Sequence, residues 1–211
     1  MSHKLPRFPL TLLVAYTLLF VVLAFHPYDR VTWFVENLTI VLIVGLLLIL
    51  YIRGIRFSNT AYAFMSVLIF LHTIGGHYTF ERVPFDYVTD FFGFARNHYD
   101  RMAHFAVGFY AFAIAELLWK KRLVNHPFVL ATYPVLAIAT VAMSYELIEW
   151  AYAANMDAAA GAAYLGSQGD IWDAQKDMFA DTLGAIVATA YFFWNYGYAR
   201  IRHALRTHPH E

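Results

Sequence analysis

The sequence predicts an all-α polytopic membrane protein: one domain, residues 1–211, of six transmembrane helices with both termini in the cytoplasm. Three observations carry that expectation. Of the 211 residues, 60% are hydrophobic and 14% charged, against about 25% charged in a soluble globular domain. A soluble fold of this length has too little interior to hide that much apolar surface, so the surrounding solvent is lipid. The apolar residues fall into six stretches near the ~20 residues that cross a hydrocarbon core. Basic residues also gather in alternate connecting segments.

Span one, 8–25, follows Lys4 and Arg7. It is long for a signal peptide and no small-residue cleavage site follows it, so it reads as a retained helix. Spans two to six are 34–52, 60–75, 102–119, 128–150 and 177–196. Each must be helical, because a lone strand leaves its backbone groups unpaired in lipid. Span three is short and ends at Gly75–Gly76, which predicts an irregular outer end. The segment 78–97 carries Tyr78, Phe80, Phe85, Tyr87, Phe91, Phe92 and Phe94. A short helix on the outer leaflet, with Pro84 in its first turn, and a loop packed on the bundle both fit it.

Orientation follows from the loops. Lys4, Arg7, Arg53, Arg56, Lys120, Lys121, Arg122, Arg200, Arg202 and Arg206 all fall on one side of a six-span chain, and that side is cytoplasmic. Loops 53–58 and 120–126 are then inside, and 76–98 and 152–175 outside. Trp33, Trp119, Trp150, Trp194 and Tyr198 lie near span ends, as interfacial belts require.

Composition narrows the chemistry. Net charge is zero, so no basic excess exists to neutralise the phosphates of a nucleic acid. With no cysteine, neither disulfides nor thiolate metal sites can form. There is no HExxH, no phosphate loop and no GxSxG; Gly166–Ser167 leads to Gly169 in the wrong frame.

The acids are concentrated on the outer side, only Glu116 and Glu211 belonging to the inner one. With a rise of about 1.5 Å per residue, His104 lies roughly 6 Å inward of Asp100 and Glu146 roughly 6 Å inward of Trp150. Asp181 lies roughly 8 Å inward of Lys176, and His72 roughly 5 Å inward of Gly75. Four spans therefore place an ionisable group at one shallow depth, and such groups inside membranes usually face the bundle interior and mark function. Asp100 and His104 share a helix face, as do Glu146 and Glu149, and Asp173, Asp177 and Asp181 form an i, i+4, i+8 stripe if span six begins early enough.

Six acids (Asp100, Glu146, Glu149, Asp173, Asp177, Asp181) face two nearby bases, Arg101 and Lys176. Like charges 4 Å apart cost about 4 kcal/mol at an effective dielectric of about 20. If these side chains converge, protons or bound cations must neutralise them. Carboxylates with imidazole suit a divalent metal: zinc, iron, manganese or magnesium. Asp100, His104, Glu146, Asp177 and Asp181 are the expected ligands, with Glu149 and His72 as acid/base groups or further ligands.

Structural roles compete with several of these. Asp100 also suits a helix cap, His104 a hydrogen-bonded histidine of the bundle, and Glu149 an interfacial acid. Asp173 suits a solvated loop position or a cap. His77 and Glu81 are weaker ligand candidates. Glu116 pairs naturally with Lys120, and Gly166, Gly169 and Gly184 suit turns or close helix contact.

Tyr99-Asp100-Arg101-Met102-Ala103-His104-Phe105, Glu146-Leu147-Ile148-Glu149-Trp150 and the segment Gly169 to Met178 resemble the YjdF-like bacterial inner membrane proteins over nearly the whole chain. That resemblance implies a multi-pass inner-membrane location and no particular activity. A fainter similarity links the chain to VanZ-like proteins, through their Asp-Lys-x-x-His-Phe pattern and later Glu, Gln and Asp. Here Arg101 replaces the lysine, and Glu146, Gln175 and Asp181 match loosely. VanZ-like proteins are associated with glycopeptide tolerance and the cell envelope, an association this departure leaves with them.

The leading functional expectation is a metal-dependent hydrolase or transferase acting at the outer leaflet on a lipid-linked or envelope substrate. An ion- or proton-coupled transporter and a non-catalytic envelope protein with a structural polar network are the alternatives. Against a transporter, Val41–Leu50, Phe109–Ala115 and Ala185–Ala190 in the inner halves are almost wholly apolar or small.

Overall fold

All six apolar stretches are helical in the computed structural model, which describes residues 7–157, 161, 165 and 167–206. Lys4, Gly166 and Glu211 lie outside the described residues. The helices are α1 (Arg7–Leu23), α2 (Arg30–Ile52), α3 (Asn59–Tyr78), α4 (Asp86–Phe92), α5 (Tyr99–Val107), α6 (Tyr110–Lys120), α7 (Pro127–Ala153), α8 (Asp173–Tyr196) and α9 (Tyr198–Arg206). No strand occurs among the described residues. By length and apolar composition α2, the continuous stretch Tyr99–Lys120 and α7 are each able to cross a membrane, and α1 is apolar but shorter.

The chain divides into two units, 1–103 and 104–211. In the first, α3 packs against both α1 and α2. Tyr16, Ile40 and Ile69, one from each helix, form its core, flanked by Phe20, Val44 and Phe70. The opposite face of α2 is uncovered: Val31, Phe34, Leu42 and Ile52 are all at least 65% exposed. An apolar face of that extent has a natural place against acyl chains.

Local chemistry explains the helix ends. Asp29 caps α2 by accepting from the Thr32 N–H (2.7 Å), and Ser58 caps α3 through Ala61 N–H (3.2 Å). The expected irregularity at Gly75–Gly76 is absent, because α3 runs on to Tyr78 and ends at Thr79 in the left-handed region (φ 58). The two glycines are there for clearance: a Cβ on Gly75 would strike the Phe80 ring, and one on Gly76 would crowd Asn37 and Glu36 of α2. Pro84 lies ahead of α4 rather than in its first turn. α4 itself is a short helix with Tyr87 (92%) and Phe91 (81%) exposed. Trp33 is not an interfacial residue. It is 6% exposed, tilted against Phe20 and edge-on to His77.

In the second unit α6, α7 and α8 pack mutually, and α9 folds onto α7 and α8. Between α5 and α6 the hydrogen bonding tightens to i→i+3, with Phe109 N to Ala106 O (3.1 Å) and Ala111 N to Gly108 O (3.0 Å). This junction lies against α8. A Cβ on Gly108 would collide with Gly184 and Ala185 backbone, and one on Gly184 with the Phe105 carbonyl oxygen. Gly184 is thus a close-contact glycine, as small residues between membrane helices often are.

Candidate functional site

Helix α8 begins at Asp173, early enough to put Asp173, Asp177 and Asp181 on one stripe. All three are buried, at 6%, 4% and 2% exposure. The expectation that Asp173 is solvated is therefore wrong: it occupies the first turn of α8, beneath the surface. Asp170 shapes the turn ahead of α8, its carboxylate accepting from Trp172 N–H (3.1 Å) and its carbonyl from Asp173 N–H (3.1 Å); the N-cap, Trp172, makes no side-chain cap bond.

Helix α5 brings His104 to this stripe. Its Nδ1 lies 3.3 Å from Asp181 Oδ2 and its Nε2 3.6 Å from Asp177 Oδ1. One imidazole thus stands between two aspartates one helical turn apart. Asp100 lies one turn before His104 in the sequence of α5, in the first unit.

Glu146 enters from α7, buried at 9%. It interacts electrostatically with Glu149, Asp177, His104 and Asp181. Glu149, one turn further along α7, is half-buried. Lys176, counted from sequence as a neutralising base, has its Nζ 2.7 Å from Asp170.

Buried carboxylates at this density are costly unless protons, bases or metal compensate them. The arrangement can hold a cation among two carboxylates and an imidazole, or a proton on the imidazole between Asp177 and Asp181. Either one neutralises part of the charge.

His72 has a partner that sequence reasoning missed. In the first unit its Nε2 is 3.0 Å from Glu36 Oε2, an ion-pair distance with the N–H not aligned for a hydrogen bond. The signal was present: Glu36 is six residues into α2 and His72 six residues from the end of α3, matching depths of about 9 Å in antiparallel neighbours. His77 is structural as well. Its Nδ1–H donates to the Leu23 carbonyl (2.7 Å) and its own carbonyl accepts from Tyr28 N–H (2.9 Å), fastening the α1–α2 turn. Glu81 sits 3.4 Å from Arg82. Glu116 pairs with Lys120 (2.6 Å) and also accepts from the Tyr196 hydroxyl (3.0 Å).

The residues of this site lie within a match to a family model described as "Predicted membrane protein (DUF2238)", which covers residues 8–197. The chain is similar to the inner membrane protein YjdF of Escherichia coli (strain K12), at 34% identity over 188 residues, 86% of this chain and 84% of the relative. No solved structure matches. Matched over nearly its whole length by that family model, this chain belongs to the YjdF-like (DUF2238) family of inner-membrane proteins.

Proposed function

We propose that the carboxylate–imidazole centre on α5, α7 and α8 binds a divalent cation and serves a hydrolase or transferase acting on a lipid-linked or envelope substrate. The reading includes six spans with cytoplasmic termini, supported by the alternation of basic loops, and so puts the centre just beneath the outer face. The observation that supports it best is the placement of His104 between Asp177 and Asp181.

The donor chemistry fits. In this reading Asp100 and Asp177 ligate through oxygen and His104 through Nε2, while His104 Nδ1–H donates to Asp181. Asp181 then orients the imidazole instead of ligating, the usual carboxylate–histidine–metal arrangement. Glu146 supplies a fourth ligand, and Glu149 an acid/base group. Oxygen-rich sets with one imidazole suit magnesium, manganese, iron or zinc. Such an ion polarises a phosphoryl or carbonyl oxygen and lowers the pKa of water to about 7. His72, facing Glu36, has no assigned part in this chemistry.

One alternative has its own support, since both nitrogens of His104 face carboxylates. An imidazolium clamped by Asp177 and Asp181 would give that geometry in a purely structural network. Metal content and melting separate the two. Wild-type protein in detergent should carry metal and lose thermal stability in EDTA, by about 2.7 kcal/mol if the free ion stands at a hundred times Kd. His104→Ala should lose both the metal and the chelator effect. Metal-free wild type that takes up none on incubation, with identical melting with and without chelator, would leave the structural network as the account.

A further inference from the structure

At the far end of α8 from the acids, the second unit carries a recess of about 650 Å³ between the start of α7 and α9. We infer that it binds the phosphate of an anionic phospholipid. Arg202 and Arg206 line it, one helical turn apart on α9. Ile201 (0%) and Leu205 (8%), buried on the same helix, hold that face in place. Tyr198 and His126 add polar groups to the lining. His126 Nδ1 accepts the Phe128 N–H (3.2 Å), so its proton sits on Nε2 as a donor. Among the described residues no carboxylate lines the recess.

The walls select a lipid over a free phosphoester. Phe128 and Phe193 are part of the lining, and Phe128 is also 67% exposed at the start of the apolar helix α7. A headgroup phosphate between the two guanidinium groups would place its acyl chains along that surface. Arginine suits this role because its planar fork grips phosphate oxygens in pairs. Juxtamembrane basic residues recognise anionic headgroups by the same electrostatics.

The test uses full-length protein in nanodiscs, with retained lipid counted by native mass spectrometry from an equimolar mixture of phosphatidylglycerol and phosphatidylcholine. Wild type should retain phosphatidylglycerol preferentially. Arg202→Gln with Arg206→Gln should cut that preference by about 30-fold, roughly fivefold per basic group, without moving the melting temperature. The Arg→Lys pair, which keeps the charge and loses the planar fork, should fall between wild type and the Gln pair. Equal retention of both lipids by wild type would overturn the inference, and needs no variant to fold. Retention unchanged in the Gln pair would also overturn it. A third arm adds glycerol 3-phosphate as competitor. Displacement of the lipid as effective as that by short-chain phosphatidylglycerol would assign the recess to a free phosphoester and end the lipid proposal.

Discussion

Replacing Gly184 with alanine tests how tightly the site depends on the α5–α8 contact. The added methyl would strike the Phe105 carbonyl oxygen, lie 3.0 Å from the Phe105 carbonyl carbon and 3.3 Å from Gly108 Cα. All three are backbone atoms, so no side chain can swing aside. Restoring contacts of about 3.5 Å forces α5 and α8 apart by roughly an ångström, and overpacking of this kind costs about 1–3 kcal/mol. The same displacement lengthens the 3.3 Å approach of His104 on α5 to Asp181 on α8. Melting of the purified protein in detergent measures the cost, and Gly45→Ala serves as control. Gly45 has nothing within 4 Å of its added Cβ, so that change should be neutral or stabilising by up to about 1 kcal/mol. A Gly184→Ala protein that melts with wild type, or a Gly45→Ala protein that falls as far, would refute this reasoning about clearance.

Three further outcomes are expected. Tyr196→Phe removes one donor from the fully buried Glu116 and should cost about 1.5–3 kcal/mol, measured by melting; no change would mean the hydroxyl bond carries no weight. Asp29 has its carboxyl held below the ordinary 3.8 by the Thr32 N–H, so its cap strengthens α2 above that pH and is lost as pH falls through the lowered value. Asp29→Asn should therefore flatten an acid-melting profile only below about pH 4. The chain has no native cysteine, so single cysteines at 87 and 121 can report topology: an impermeant thiol reagent should label 87 from outside and spare 121, and the reverse pattern would invert the orientation.

Much of this was legible because helical periodicity turns spacing into geometry. Asp173, Asp177 and Asp181 fall on one stripe from numbering alone, and Glu116–Lys120 is a pair for the same reason. What numbering does not carry is contact between helices distant in the chain. Nothing in the numbering shows that His72 has Glu36, 36 residues earlier, beside it. His77 reads as a loop ligand until the Leu23 carbonyl claims its Nδ1. Gly75–Gly76 reads as a helix end because glycine is a poor helix former, yet the packing of Phe80, Asn37 and Glu36 against α3 is what requires it. Trp33 reads as a belt residue from its place at a span end, whereas Phe20 and His77 enclose it. Asp181 shows the limit of residue type as a guide: a carboxylate beside a histidine suggests a ligand, and only its approach to Nδ1, with Asp177 on Nε2, supports the orienting role proposed for it.

The most direct measurement of the central claim is anomalous diffraction from crystals of the protein grown with manganese or zinc. The account predicts one peak about 2.0–2.2 Å from His104 Nε2, in contact with oxygens of Asp177 and Asp100, with Asp181 hydrogen-bonded to His104 Nδ1. No peak at saturating metal, or a peak only elsewhere, such as between Glu36 and His72, would contradict it.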